Sequence, residues 1–484
     1  MSNQSLLAPW LVTLKAQTDG QHLGYQALER YLRQCIVSGQ LAAGTRLPTS
    51  RALALELGVG RNGVVDAYAS LTYEGLLLAQ GRLGTVVASG AAAPARKARA
   101  DVLPKLRQRL PAAQHNATTF APKLDWRLGQ TNTELFPVQV WRAACKEAGR
   151  RVPPLGYGDP QGDAQLRQSL SVWLQARRSL TVSAQQIVLT AGAGQAIDLL
   201  TRILVKPGDL CAVEDPGYPR VVQALGQQSA RLLRMSVDAE GARIEDMLEH
   251  SEFPSLIHLT AAHQYPMGGR LSAARRTALL QAVRRHGSLI IENEYDHEFV
   301  HEGQRFAPLA ASAPEHCIVV GTFARAISPA LRLGFIAAPA DIVQAVAQLI
   351  AHEQLQASWP VQMSANWLLK SGELDRHLRR VGKRYAAMRA QIKEQLKPLA
   401  PQIKLRGDEG GLHMALDCSA MRAANYNALC QKLSERGVLF DSIDRFVSKA
   451  IKQQVVLMGY AHLNSQQLSQ SIKLVREAVK SSIA

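Results

Sequence analysis

The stretch CIVVGTFARAISPALRLG, Cys317 to Gly334, decides the fold of most of the chain. It opens with a short apolar run rich in β-branched residues and continues into a polar loop that carries Arg325 and Arg332. Comparable runs occur upstream and alternate with helical patterns; they are IVLTAG, LCAVEDP, LIHLTA and SLIIENEY. This alternation predicts an α/β domain with a largely parallel sheet from residue 125 onward. A ligand site is then expected at the carboxyl ends of the strands.

Length and charge suggest a second unit at the amino-terminal end. The chain has 484 residues, 47% of them hydrophobic, so two or more domains with a sizeable core are expected. Its net charge is +17, and residues 1–124 hold 14 Lys and Arg against 6 Asp and Glu. Such a basic end favours an anionic partner such as nucleic acid. The alternative is that the positive charge only keeps the surface soluble and binds no partner.

Cysteine spacing and hydropathy predict a cytoplasmic protein. The 6 cysteines are scattered without a CxxC pair, as is typical of reduced thiols. The first residues lack a basic leader, and the chain has no run of about 18 apolar residues. We therefore expect neither export nor membrane insertion.

Residues 20–88 read as three helices followed by a hairpin. Thr49 or Ser50 is suited to cap the second helix, and Gly58 to make the turn into the third. The run LLLAQGRLGTVVA, with Gly81 and Gly84 at its bend, predicts the hairpin. Two helices joined by a tight turn and followed by a hairpin form a winged helix-turn-helix.

This segment resembles the winged helix of GntR-type transcription regulators. The matching elements are the run GQLAAGTRLPTSR, Gly39 to Arg51, then LGVGRNGV and EGLL with its following glycines. The resemblance implies binding to double-stranded DNA, with arginines at the starts of two helices on phosphates and base edges and the wing tip in the minor groove. The DNA-binding residues that it implies here are Arg51, Arg61, Asn62, Gly81 and Arg82.

One departure bears on DNA binding. Gly60 and Gly63 replace hydroxyl residues of the family pattern, so DNA binding is expected to be weaker or to read a different site. After the winged helix, residues 89–124 are rich in Ala, Pro and basic residues and are expected to form an interdomain linker.

Residues 125–484 resemble the aminotransferase-like domain of MocR-type regulators. The matching runs are LGYGDPQGDAQLRQSL, VEDPGYP, HQYPMGGRLS, EYDHEF and GTFARAISPALRLG. Together the two resemblances imply a GntR-type winged helix fused to a fold-type I aminotransferase-like domain that serves in dimerisation and effector binding. They also imply a homodimer and a pocket for pyridoxal phosphate.

Several pocket positions of the family are kept. Tyr218 matches the tyrosine that stacks on the cofactor ring, and Tyr295 the tyrosine that bonds its phenolic oxygen. Thr322 and Arg332 match phosphate-binding positions, where a hydroxyl and a cation suit a dianion. Such residues could hold an anionic aromatic ligand, or they could be packing groups that no longer bind one.

The groups that carry out the chemistry are changed. Arg325 stands at the position of the imine-forming lysine, and a guanidinium stays protonated in proteins. No lysine occurs between Lys206 and Lys370. Asn293 replaces the aspartate that pairs with the pyridine nitrogen, and Leu457 the arginine that binds a substrate carboxylate.

We therefore expect a non-catalytic, sequence-specific transcription regulator that senses a small anionic ligand without a covalent imine. One alternative is a pyridoxal-phosphate-dependent aminotransferase-type regulator, and another is a nonspecific nucleic-acid-binding protein. The run HEFVH, from His297 to His301, fits the HExxH pattern of zinc peptidases. It follows a strand rather than lying on a helix, so no metal site is expected.

Overall fold

The computed structural model describes residues 25–81, 84–89, 123–132, 134–299, 307–407, 409–448 and 453–483. The chain divides into two compact units, Met1–Ala117 and Thr118–Ala484. The predicted linker, residues 89–124, lies almost entirely outside the described residues, so the boundaries predicted for it remain predictions.

The small unit is a three-helix winged helix. Its elements are α1 (Tyr25–Val37), α2 (Ser50–Leu57), α3 (Arg61–Tyr73), β1 (Leu77–Ala79) and β2 (Thr85–Val87). The two strands pair antiparallel, with Leu77 opposite Val87. The apolar residues that recur at helical spacing in α1 are buried in the core of this unit, where α1 packs against α3; they include Leu28, Leu32 and Ile36.

Local signals in the sequence set the ends of these helices. Thr49, one of the two predicted caps, accepts a hydrogen bond from the amide of Ala52 at 3.2 Å. Gly58 ends α2 in the left-handed region, at φ 66°, which favours glycine. The predicted helix-turn-helix therefore has the turn that its sequence requires.

The large unit is an α/β domain. Its first half contains β3 (Leu124–Asp125), α4 (Val138–Gly149), α5 (Ala164–Arg178), β4 (Ile187–Thr190), α6 (Ala193–Leu204), β5 (Leu210–Asp215), α7 (Pro219–Gln227), β6 (Arg231–Asp238), β7 (Gly241–Ala242), α8 (Glu245–Leu248), β8 (Leu256–Leu259), α9 (Ala273–His286) and β9 (Leu289–Glu294). Its second half contains β10 (Cys317–Thr322), β11 (Gly334–Ala337), α10 (Ala340–Glu353), α11 (Trp359–Lys370), α12 (Glu373–Leu396), β12 (Lys404–Arg406), β13 (His413–Asp417), α13 (Ala423–Glu435), β14 (Val438–Leu439), β15 (Val455–Gly459) and α14 (Ser465–Ile483).

The central sheet has the order β4-β11-β10-β9-β8-β5-β6-β7. The neighbours from β10 to β6 run parallel, whereas β11 pairs antiparallel with both β10 and β4, and β7 pairs antiparallel with β6. The five apolar runs read from the sequence form β4, β5, β8, β9 and β10, and apolar side chains of these strands face both layers of the core. The predicted α/β fold with a largely parallel sheet is confirmed.

A smaller layer completes this unit. Strands β12, β13 and β15 form an antiparallel sheet, and β14 pairs with β3. Within the described part of the chain, no helix is long and apolar enough to cross a membrane.

Candidate functional site

The predicted DNA-binding side chains lie at two helix starts of the small unit. Arg51 is the second residue of α2, and Arg61 and Asn62 open α3; all three are exposed. Gly81 lies in the turn of the hairpin at φ 54°, and Arg82 lies outside the described residues. The structure thus presents the described members of this set to solvent.

The start of α3 is open to an anion. Its N-cap is Gly60, which has no side chain to accept a hydrogen bond from the first-turn amides. Backbone amides and the helix dipole favour negative charge at such an end, and Arg61 adds a cation there. This arrangement suits a phosphate group of DNA.

The second site is a cavity of about 220 Å³ at the carboxyl ends of β4, β9 and β10. All six residues predicted for the cofactor site line it together. The described lining residues are Gly129, Gly192, Ala193, Gly194, Tyr218, Tyr265, Asn293, Tyr295, Thr322, Ala324, Arg325, Pro329, Arg332 and Leu333. The roles assigned to these residues from the sequence remain predictions.

Three tyrosines form an aromatic wall. The ring centroids of Tyr218 and Tyr265 are 5.6 Å apart, and those of Tyr265 and Tyr295 are 5.2 Å apart, in both cases edge to face. The sequence reading missed Tyr265, although it belongs to the run HQYPMGGRLS that carried the resemblance. A wall of this kind suits a planar ligand.

A buried histidine–aspartate pair lies beside the hydroxyl of Tyr295. This oxygen lies 2.8 Å from Nδ1 of His263, which is itself 2.7 Å from a carboxylate oxygen of Asp296. A proton on Nδ1 is best donated to the carboxylate, which leaves the proton of Tyr295 for an acceptor in the cavity. Burial, reinforced by the negative charge of Asp296, raises the pKa of Tyr295 well above its usual value, so the phenol stays neutral.

One end of the cavity is suited to a dianion. A Cβ added to Gly192 would lie 3.6 Å from Nη1 of Arg332, so this guanidinium lies beside the start of α6. A Cβ added to Gly194 would lie 2.8 Å from Nη1 of Arg220, which brings a second cation to the same helix end. The first amides of α6 add donors. Thr322 also lines the cavity, and its hydroxyl donates to the carbonyl of Leu333 at 3.4 Å and accepts from the amide of Ala324 at 3.1 Å.

The loop Ala191–Ala196 contributes backbone rather than side chains to that end. The side chain of Gln195 is engaged elsewhere: it accepts from the amide of Ala191 at 2.6 Å and donates to the carbonyl of Leu355 at 3.1 Å. The remaining residues of the loop have no polar side chain. The glycines let the helix start approach a ligand closely.

Arg325, which the sequence predicts to replace the imine-forming lysine, carries a guanidinium that contacts a backbone carbonyl. Nη1 of Arg325 donates a hydrogen bond to the carbonyl of Gly129. Gly129 has φ 93°, and a Cβ there would lie 2.9 Å from Nη2 of Arg325, so the backbone passes close to the guanidinium. This contact holds Arg325 at the wall of the cavity and leaves its other N–H groups for a ligand.

Asn293, which the sequence predicts to replace the aspartate that pairs with the ring nitrogen, is also part of the lining. Its side chain is 5% exposed, and its Oδ1 has no hydrogen-bond partner in the structure. A buried amide oxygen without a partner costs roughly 1 to 3 kcal/mol, a cost that a ligand at this position would remove. No aspartate, glutamate or lysine occurs among the described residues that line the cavity.

Pyridoxal phosphate bound as an imine does not fit these residues. The cavity offers no described amine to form the bond, and the amide of Asn293 carries no charge to pair with a protonated ring nitrogen. Leu457 lies on β15 in an apolar cluster with Met267 and Phe446, which provides no cation for a substrate carboxylate.

The two described residues of the zinc-like pattern contact other side chains. Glu298 pairs with the buried Arg178, and Nδ1 of His297 lies 2.5 Å from a carboxylate oxygen of Glu294. The second histidine, His301, lies outside the described residues. Within the described ranges, no group of three or more His, Cys, Asp or Glu side chains is placed to hold a metal ion.

Comparisons with known proteins agree with this two-unit architecture. Residues 24–87 match the family of bacterial regulatory proteins of the gntR type, and residues 121–471 match aminotransferase class I and II. Among solved structures, the multiple-substrate aminotransferase of Thermococcus profundus is similar with a TM-score of 0.71 and 20% identity, over 79% of this chain and 98% of that one. This likeness shows the fold of the large unit.

Relatives that combine both units are similar over nearly the whole chain. The probable rhizopine catabolism regulatory protein MocR of Rhizobium meliloti is 30% identical, with 94% of this chain and 93% of that protein covered. The transcriptional regulator TauR of Rhodobacter capsulatus is 31% identical, with 94% and 97% covered. The chain therefore belongs to the MocR-type transcription regulators, in which a GntR-type winged helix precedes an aminotransferase-like domain.

Proposed function

We propose that this regulator is a sequence-specific, DNA-binding homodimer whose large unit binds a small anionic ligand without an imine and without catalysis. The observation that carries the proposal is the charge of the cavity. Its described lining holds two guanidiniums, Arg325 and Arg332, and no aspartate, glutamate or lysine.

This charge pattern favours an anion and disfavours transamination. Two cations in a partly enclosed cavity attract negative charge more strongly than they would in open water. Transamination needs an amine for the imine and an acid to hold the ring cation, and the described lining offers neither. A regulator that retains pyridoxal phosphate through an imine is the alternative, and it requires a lysine from elsewhere.

The proposal of specific DNA binding rests on the small unit. Exposed Arg61 and Asn62 at the open end of α3 can contact both phosphates and base edges. A nonspecific nucleic-acid-binding protein needs only the phosphate contacts. If removing one of these side chains weakens binding to one DNA sequence and not to others, the protein binds DNA specifically. If the loss is the same on every sequence, the binding is nonspecific.

An exposed apolar segment between α4 and α5 supports the homodimer. Val152 is 89% exposed, Leu155 is fully exposed at 102%, and Tyr157 is 67% exposed, all within one short segment. Apolar side chains grouped in this way are typical of surfaces that another chain covers. A second copy with two-fold symmetry also suits paired half-sites in an operator.

The DNA-binding half is tested with the variant Arg61→Ala. Genomic fragments retained by the purified protein are sequenced to find its site, and affinity is measured by fluorescence anisotropy on that site and on a scrambled duplex. The variant is expected to bind the specific site about tenfold to a hundredfold more weakly, the cost of one arginine that reads a base. Its thermal midpoint should equal that of the wild type because Arg61 is exposed.

Arg30→Ala is the matched control, since Arg30 is an exposed arginine of α1 outside the predicted DNA-binding set. It should bind the specific site nearly as tightly as the wild type. Equal losses in the two variants, or equal losses on the specific and scrambled duplexes, would favour the nonspecific reading.

The ligand-binding half is tested by titration with pyridoxal phosphate, followed by borohydride reduction and gel filtration. We expect no imine absorption band and no label retained on the protein. A saturable band that survives reduction and gel filtration would overturn the proposal and support the alternative with a covalent cofactor.

A further inference from the structure

We propose that the cavity of the large unit recognises a single aromatic ring that carries two anionic groups, a phosphate ester beside Arg332 and a carboxylate held by Arg325. The inference rests on the proposed noncovalent anion site and deepens it. It names the ligand class as a phosphorylated aromatic carboxylate.

The two guanidiniums of the cavity lie against different parts of the chain. Arg332 lies beside Gly192 at the start of α6, where backbone amides add donors suited to a phosphate. Arg325 lies against Gly129 and donates to its carbonyl. A ligand with two anionic groups can give each guanidinium its own partner.

The tether of Arg325 favours a carboxylate over an aldehyde or an alcohol. A guanidinium has five N–H donors in a planar fork, and Gly129 engages a donor on one edge of it. The free edge can donate two parallel hydrogen bonds to the two oxygens of a carboxylate. The carboxylate also has the opposite charge to the guanidinium. An aldehyde or hydroxyl oxygen offers a single neutral acceptor and forms no ion pair.

The size and lining of the cavity suit one ring. The cavity measures about 220 Å³, which is small for a peptide or a dinucleotide. Tyr218, Tyr265 and Tyr295 provide aromatic faces and edges against which a planar ring can pack. The hydroxyl of Tyr295 adds a donor for an oxygen on that ring.

Asn293 gives an independent indication of a ligand at the same place. It is only 5% exposed and lines the cavity. Its side-chain oxygen has no hydrogen-bond partner in the structure. An amide can accept from a ring N–H or, rotated, donate to a bare ring nitrogen. It therefore suits a nitrogen heterocycle and does not require the ring to be protonated.

The test compares three ligands that share one pyridine ring and one phosphate and differ in a single substituent. These probes are pyridoxal 5′-phosphate with an aldehyde, pyridoxine 5′-phosphate with an alcohol, and 4-pyridoxic acid 5′-phosphate with a carboxylate. Isothermal titration calorimetry on the full-length protein gives the three affinities. We expect the carboxylate to bind at least about tenfold more tightly than the alcohol, the ratio expected for one additional charged hydrogen-bonded pair.

Two variants assign the preference to Arg325. Arg325→Met keeps a long side chain without charge and is expected to abolish the preference for the carboxylate while phosphate-dependent binding persists. Arg325→Lys keeps the charge without the planar fork and is expected to retain a smaller preference for the carboxylate over the alcohol. The aldehyde probe is left out for this variant, because a lysine at this position can form an imine with it. Circular dichroism of each variant establishes that it is folded before its affinities are compared.

Three results would overturn the inference: no binding of any probe, equal affinities for the carboxylate and the alcohol, or a carboxylate preference that persists in Arg325→Met. These results differ from the failure of the proposed function, whose sign is a borohydride-stable adduct of the aldehyde with the wild-type protein. The noncovalent ligand site and the preference for a carboxylate are therefore tested by separate measurements.

Discussion

In the small unit Arg51, Arg61 and Asn62 are exposed at the starts of two helices, whereas in the large unit Asn293 and Thr322 are buried at the ends of two strands. The core beneath the helix starts consists of other residues, such as Leu53 and Val64. Asn293 and Thr322, in contrast, belong to strands whose other side chains form the core. Ligand contact and folding are therefore separable in the small unit and coupled in the large one.

The largest expected effect comes from Gly321→Ala beneath the pocket. Gly321 lies on β10 directly opposite Phe335 of β11, and a Cβ there would lie 2.1 Å from the Phe335 ring. The ring is 1% exposed, so it has no free space to move into. We expect a loss of roughly 3 kcal/mol or more in the free energy of unfolding, at the upper end of overpacking effects.

Thermal and urea denaturation measure this loss. Gly226→Ala on α7 is the matched control, because nothing lies within 4 Å of a Cβ added there and alanine favours a helix. It should leave stability unchanged or slightly increased. If Gly321→Ala were as stable as this control, the close packing under the pocket would not be coupled to folding.

A smaller effect is expected from pH acting on Glu214, a buried carboxyl at the end of β5. It accepts from the amide and the hydroxyl of Thr260, at 3.1 and 2.7 Å. Burial raises its pKa to about 7 from an ordinary value of 4.5. The folded state thus holds a proton that the unfolded state releases, so stability falls as pH rises from about 4.5 to about 7.

Glu214→Gln isolates that contribution, since an amide does not titrate. Between pH 4.5 and pH 8 the wild type should lose roughly 2 to 3 kcal/mol more of its unfolding free energy than the variant does. Denaturation at several pH values measures the difference. Parallel stability profiles for the two proteins would mean that the carboxyl is solvated and its pKa ordinary. Exposed carboxylates of the small unit, such as Glu74, should show no comparable dependence.

The sequence predicted those features that are encoded locally. The apolar runs predicted the strands. Asn293 and Thr322 lie at the ends of two of them and Tyr295 directly follows one, and they meet because parallel strands end at one edge of the sheet. The cap of α2 followed from Thr49 and its spacing. Each of these depends on residues that are neighbours in the chain or on one rule of topology.

Contacts between distant segments were not predictable in this way. The partner of Arg325 is a backbone carbonyl 196 positions away, and a carbonyl has no signature in the sequence. His263 reaches Tyr295 across 32 positions, and its pairing with Asp296 depends on side-chain packing. The part of the pocket that decides ligand chemistry is thus the part that tertiary structure creates.

The smallest effect is expected from Gly60→Ser at the exposed start of α3 in the small unit. Gly60 has φ −64° and ψ 134°, which any residue can adopt, and a Cβ there meets nothing within 4 Å. A serine hydroxyl can accept from a first-turn amide, and relative to glycine such a cap adds only a few tenths of a kcal/mol. Hydrogen exchange over residues 61–66 should therefore slow by about twofold.

Gly60→Ala is the control, because it adds the same Cβ without the hydroxyl and should leave exchange unchanged or faster. If the serine variant exchanges like the alanine variant but binds DNA more tightly, the hydroxyl is donating to a phosphate instead of capping the helix. Either use of the hydroxyl leaves the fold intact, because the position is exposed and no core residue depends on it. An equally small change at Asn293 would alter a side chain that the core encloses, so there binding and stability would shift together.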